Sequence, residues 1–215
     1  MKYHDVIYRN YPKSTYPEKL AKYLDDKYLH HNSLIVDLGC GDGTYVRGFA
    51  KLGNVTYGLD LNNTDYPIDL AKDKFPYKDG MFDVVFTKST IEHLDNPWHF
   101  LKECNRILRP GGKLLVLTPS WEYNYKWFYD DPTHVRPFHR KGLQDALKLA
   151  DFSVVNVKYF YHLPCTWDNP FMTRLVSWFA RLVPDSWRWA DKEETRHRVF
   201  IRFSKEVQLL AVAGK

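Results

Sequence analysis

The chain has 215 residues and a formal net charge of +5, and 16% of its residues are aromatic. This length predicts one domain over residues 1–215 with at most an elaboration. A hydrophobic fraction of 44% excludes a disordered chain, and so small a charge is no argument for a nucleic-acid partner.

Residues 1–15 are rich in Tyr, Pro and Lys and read as an arm. No apolar segment follows Met1-Lys2, which predicts no signal peptide. From Pro17 to Leu29 the apolar positions Leu20, Leu24 and Tyr28 fall at helical spacing, with Pro17 in a first turn. Arm and helix form an N-terminal elaboration over residues 1–30. Ser33 to Leu38 is a short apolar run ending in glycines, which reads as a buried strand. Thr44 to Leu52 follows as a helix stopped by Gly53. Val55 to Leu59 is a second strand, ending at Asp60. A third short strand is expected around Ile68. Phe82 to Phe86 is the fourth. Asn96-Pro97 opens a helix with Phe100, Leu101, Cys104, Ile107 and Leu108 on one face. Lys113 to Leu117 is the fifth strand, residues 140–150 a further helix, Ser153 to Phe160 the sixth strand, and Val207 to Ala213 the last.

Strands alternating with helices imply right-handed crossovers and a parallel, doubly wound sheet. Ligands of such sheets sit at the carboxyl ends of the strands. The segments after Leu38, Leu59, Phe86 and Leu117 therefore share one rim.

Asp37-Leu-Gly39-Cys-Gly41-Asp-Gly43 follows the first strand, and its glycines let backbone approach a ligand closely. Asp60, at the end of the second strand, is placed to accept hydrogen bonds from ribose hydroxyls. The G-x-G-x-x-G pattern fails because position 44 is Thr. Asp37 and Asp42 make the loop acidic, a poor surround for a pyrophosphate. The pattern predicts an adenosine-like ligand that carries positive charge.

Val36 to Gly43 resembles the first motif of class I S-adenosylmethionine-dependent methyltransferases of type 11. Phe82-Asp-Val-Val-Phe86, Glu92-His93-Leu94 and Leu108 to Val116 are similar to that family's later motifs, in order and at the expected spacing. The resemblance covers about residues 30–160. It implies an α/β, Rossmann-like, three-layer sandwich around a mostly parallel seven-stranded sheet with an antiparallel last strand. It also implies S-adenosyl-L-methionine as cofactor, with S-adenosyl-L-homocysteine as product. Gly39, Cys40 and Gly41 would line the methionine part, and Asp37 would orient its amino group. Asp60 would hold the ribose, with Leu61 packed on the adenine and Asp69 and Leu70 at the adenine edge. Lys88 and Ser89 would lie beside the sulfonium. Only eight residues separate Asp60 from Asp69, where the family usually places a whole helix, so Asp69 also reads as a turn carboxylate.

Methyl transfer to a hydroxyl needs alignment and a proton acceptor. His93 and His134 lie in segments that reach the rim. Asp130 to Phe138 resembles a D-P-T-H-x-R motif of methyltransferases that modify sugars and surface polysaccharides. In that reading His134 is a base or acceptor ligand and Arg136 binds a substrate anion; otherwise the segment is a loop fixed by Asp131 and Arg136. Asp130, Asp131, His134 and His139 also suggest a metal, but the reading adopted has none. The expected acceptor is a sugar or glycan intermediate. The alternatives are a quinone or other small aromatic, and a cofactor-binding module without catalysis. Thr87-Lys-Ser-Thr90 stands where nucleic-acid base methyltransferases of this fold carry an Asn/Asp-Pro-Pro-aromatic motif, which disfavours a nucleic-acid acceptor.

Cys40, Cys104 and Cys165 form no C-x-x-C pair, which fits a reducing cytosol. Tyr161 to Lys205 is a long helical insertion before the last strand. Residues 171–205 hold eight Lys/Arg and four Asp/Glu, so most of the excess charge is there. Phe171, Leu175, Trp178, Phe179 and Leu182 share one helical face opposite Arg174, Ser177 and Arg181, and Trp187-Arg-Trp189 follows. Three readings stay open: a cover packed on the domain, a substrate lid or dimer contact, and a peripheral helix over 171–189 on anionic lipid.

Overall fold

The computed structural model describes residues 15–61, 67–185 and 202–215. Most of the arm and Trp187-Arg-Trp189 lie outside the described residues. Among the described residues six strands form one sheet: β1 (Leu34–Leu38), β2 (Val55–Leu59), β3 (Phe82–Lys88), β4 (Leu108–Pro119), β5 (Ser153–Tyr161) and β6 (Val207–Gly214), in the order β2-β1-β3-β4-β6-β5. β2, β1, β3 and β4 are parallel neighbours. β6 runs antiparallel to both β4 and β5. The expected architecture stands, with one strand fewer.

The missing strand is the one expected at Ile68. Ile68 lies in no strand, although its amide donates to Asp60 O at 3.2 Å. A parallel strand beside β2 would need a crossover of a dozen or so residues, and the chain has only eight between Asp60 and Asp69. β2 is therefore an edge.

Among the described residues the longer α-helices are α1 (Tyr16–Tyr28), α2 (Thr44–Ala50), α3 (Pro97–Ile107), α4 (Arg140–Leu149) and α5 (Pro170–Leu182). α1 and α2 cover one sheet face, where Leu20, Leu24 and Phe49 pack on Ile35, Val84 and Phe86. α3 and α4 cover the other, where Phe100, Leu101, Ile107, Leu143 and Leu147 meet Val36, Val85 and Leu114. β1 is apolar except at Asp37, and β3 is apolar over Val84 to Phe86, because both sheet faces are covered. Asn96 caps α3 by accepting from His99 N at 3.2 Å, and Pro97 fills the first turn.

α5 docks the other way round from a simple cover. Its buried residues are the small Val176 and Ala180. Phe171 (72% exposed), Trp178 (60%) and Leu182 (63%) point outward, with Leu175 and Phe179 part-exposed beside them. No helix among the described residues is long and apolar enough to cross a membrane.

Candidate functional site

The carboxyl ends of β1 and β2 fold the glycine loop between them. Gly39 N and Cys40 N both donate to Leu59 O, at 2.8 and 3.1 Å. Gly41 N donates to Asp60 Oδ2 at 2.9 Å, so Asp60 both shapes the loop and faces it. Gly39 has φ +79°, and a Cβ there would come within 2.2 Å of Thr90 Oγ1. Only glycine lets Thr90 seat against the loop.

Asp37 is 2% exposed, and its Oδ2 has no partner. Burial, then the nearby Asp60 carboxylate, pushes its carboxyl up to about 8. An unpaired carboxylate is costly there, and a cation brought to it would remove the cost. Burial, then Asp37, also pushes the Cys40 thiol up to about 12, which excludes it as a nucleophile at neutral pH.

Lys88 ends β3. Its ammonium lies 5.9 Å from the Tyr45 ring centre and 3.3 Å from Ser89 Oγ, and burial lowers its pKa. Ser89 has φ +53°, and its hydroxyl accepts from Gln208 Nε2 at 3.3 Å. Leu61 is exposed, while Leu70 is buried against Leu59 and Phe75 in the core. Asp69 serves its own turn: it accepts from Ala71 N at 3.0 Å and pairs with Lys72 at 3.0 Å.

A second cluster stands on the same rim. Glu92 and His93 lie in one turn of 3-10 helix after β3. The loop after β4 brings His134 to them, because Val135 N and Arg136 N both donate to Glu92 O, at 3.0 and 2.9 Å. The His93 and His134 ring centres are 4.6 Å apart. His134 Nδ1 donates to Phe128 O at 2.6 Å. A carbonyl only accepts, so Nδ1 carries the hydrogen and Nε2 the lone pair. His93 Nδ1 donates to Thr133 Oγ1 at 2.9 Å and lies 3.2 Å from Thr133 O. Thr133 Oγ1 passes its own hydrogen to Asp131 Oδ1 at 2.7 Å. Both rings thus donate through Nδ1, and His134 Nε2 faces Asp131 Oδ2 at 3.9 Å.

Glu92 completes the group. Its side chain is fully buried, Oε2 accepts from Thr118 Oγ1 at 2.9 Å, and Oε1 has no partner. Burial pushes its carboxyl up to about 7 and lowers the pKa of His93. One donor atom from each of Glu92, His93 and His134 lies within 4.8 Å of the others.

Among the other expected residues, Arg136 is exposed and donates to Asp95 O at 3.1 Å, which pins the loop. His139 faces Glu122 at 3.3 Å, and Asp131 holds Thr133. Sequence reasoning missed Glu92 as a site residue. Its place directly before His93 was the available signal; its burial was not visible.

A cleft of about 520 Å³ opens between α5 and the start of β6. Tyr123, Trp127 and Tyr161 line it together with Lys126, Arg181 and Lys205. Trp127 directly precedes Phe128, whose carbonyl holds His134. Asp185 bridges Lys126 and Lys205 at 2.8 and 2.9 Å across this cleft.

Residues 36–116 match the family described as "Methyltransferase domain". A probable S-adenosylmethionine-dependent methyltransferase of Mycolicibacterium smegmatis is 30% identical over 142 residues, 60% of this chain and 55% of that one. A ubiquinone biosynthesis O-methyltransferase of Xanthomonas oryzae pv. oryzae is 29% identical over 100 residues, 39% of this chain and 42% of that one. The matches thus span about half the length of these curated relatives. The solved structure of a SAM-dependent methyltransferase from Archaeoglobus fulgidus superposes over 100% of both chains with TM-score 0.66 at 19% identity, which establishes the fold.

Proposed function

We infer that the chain is a class I S-adenosylmethionine-dependent methyltransferase and that it methylates a hydroxyl oxygen on a sugar or glycan intermediate. The observation that carries the cofactor half is the buried Asp37 carboxylate with an unpartnered oxygen beneath an acidic glycine loop. That donor set fits a ligand bearing an ammonium group. Asp37 would take the amino group, Gly39, Cys40 and Gly41 the methionine chain, and Asp60 the ribose, with Leu61 outside on the adenine. Asp69 and Leu70 would act through the turn that shapes the adenine edge. Lys88 and Ser89 would border the reacting end. When bound, the cofactor supplies a sulfonium methyl group, a strong electrophile.

Glu92, His93 and His134 form the acceptor end of this reading. They present lone pairs, so a hydroxyl meets them through its hydrogen, and they draw its proton away as the oxygen attacks. Asp131 and Thr133 keep the rings oriented, and Arg136 holds the loop in place. The aromatic cleft supports a sugar acceptor, because aromatic faces stack on pyranose rings, and Arg181 suits a phosphate on it, Lys126 and Lys205 being paired with Asp185. The outward apolar stripe of α5, flanked by Arg174 and Arg181, supports an acceptor carried on an anionic lipid surface. A quinol acceptor is the second reading, favoured by the ubiquinone O-methyltransferase relative. Incubation with methyl-labelled cofactor against sugar phosphates, lipid-linked sugars and catechols tests both. Label on a sugar hydroxyl supports the first reading, label on a catechol the second, and label on neither, with cofactor bound, overturns O-methylation.

A further inference from the structure

Three groups with lone pairs to offer face one another, the buried Glu92 and the half-buried His93 and His134. The His93 and His134 hydrogens are spent at Nδ1, on Thr133 and on Phe128. Glu92 has one oxygen on Thr118 and one without a partner. Lys88 acts on Glu92 as a nearby charge without hydrogen-bonding its Oε1, and a buried carboxylate oxygen with no donor is unfavourable. We propose that Glu92, His93 and His134 are the protein ligands of one divalent first-row transition ion, of the zinc class.

The donor types suit such an ion: two imidazoles and one carboxylate, with positions left open for a further ligand. Two imidazoles bound to one ion through Nε2 at about 2.1 Å hold their ring centres roughly 4.5–5.2 Å apart at ordinary bond angles; those of His93 and His134 are 4.6 Å apart. Each ring also has the outer partner that metal-bound histidines use. His134 Nδ1 donates to a backbone carbonyl, and His93 Nδ1 donates to a threonine that itself leans on Asp131. The two loops cannot drift apart easily, since Glu92 O holds the amides of Val135 and Arg136. The donor atoms lie within 4.8 Å of one another, and binding needs them to close to roughly 3–3.5 Å.

The ion site stands on geometry alone, whereas its use in the reaction rests on the methyl-transfer reading above. Ion and proton compete for the same lone pairs. With an ion bound, His93 and His134 would serve as its ligands, and the ion would supply Lewis acidity that eases loss of an acceptor hydroxyl's proton to water.

The test uses the purified whole chain, stripped with a chelator and titrated calorimetrically with Zn²⁺ alone. Co²⁺ provides a visible absorption readout of nitrogen ligation. The expected result is one ion per chain, with affinity at least about tenfold weaker in His134→Ala, His93→Ala and Glu92→Gln, and unchanged in His139→Ala. Circular dichroism and cofactor titration on the same samples report folding. No binding by the folded chain, or equal binding in folded His134→Ala, overturns the ion site. Ion binding without cofactor binding leaves the site standing and overturns the methyltransferase reading instead.

Discussion

The rings of His93 and His134 stand 4.6 Å apart, centre to centre, although they come from loops that follow different strands, β3 and β4. Each is fixed by a hydrogen bond from Nδ1 to the loop carrying His134. The arrangement predicts that His134→Ala leaves cofactor affinity within about twofold while the rate of methyl transfer falls by roughly 10²–10⁴. His139→Ala, whose ring faces Glu122, leaves both unchanged. Calorimetry and single-turnover transfer measure the two quantities separately.

Asp37 predicts how cofactor binding depends on pH. Its carboxyl is raised to about 8 in the free protein, and a cationic ligand favours the ionised form. Binding therefore releases a proton below pH 8, and affinity climbs with pH, by up to about tenfold per unit, before flattening above 8. The fold responds in the opposite sense. A carboxyl raised above its unfolded value near 3.8 binds its proton more tightly when folded, so its contribution is fullest at acid pH and is lost as pH rises towards 8. The thermal shift produced by cofactor should thus grow from pH 6 to pH 8. Asp37→Asn should remove both trends and weaken binding. Titration in buffers of different ionisation enthalpy counts the released proton.

Gly39→Ala should destabilise the chain by about 1–3 kcal/mol. The new Cβ meets Thr90 Oγ1 at 2.2 Å, and φ is +79°. Adding Thr90→Ala removes the hydroxyl and methyl clash but not the backbone strain, so the double variant recovers only part of the loss. Denaturant midpoints of the four proteins close the cycle.

The α5 stripe predicts co-sedimentation with anionic vesicles. Phe171, Trp178 and Leu182 are exposed, and the helix carries Arg174 and Arg181 with no acidic residue. Binding should fall with added salt and in Arg174→Glu/Arg181→Glu, and neutral vesicles should hold the chain weakly. Equal partition in all four conditions contradicts a lipid-facing role.

Most of the rim was legible in the sequence because its signals are local. Apolar runs marked the strands, and Gly39, Gly41 and Gly43 marked the loop that feeds α2. The strand expected around Ile68 does not form, because the connection from Asp60 is too short to carry a crossover. α5 was periodic in sequence, but periodicity does not say which face docks. Val176 and Ala180 allow close approach, and the large aromatics were left outside. Glu92 was hidden for a different reason. Its burial depends on Thr118 and on the loop around His134, contacts that no local pattern displays.

The central claim is that the acidic glycine loop holds a cationic nucleoside cofactor. Calorimetric titration of the whole chain with S-adenosylmethionine tests it most directly, alongside Asp60→Ala. The account predicts saturable one-to-one binding, weakened at least about tenfold in Asp60→Ala by loss of a charge-assisted contact. Absence of binding, or equal binding by the two proteins, would contradict it.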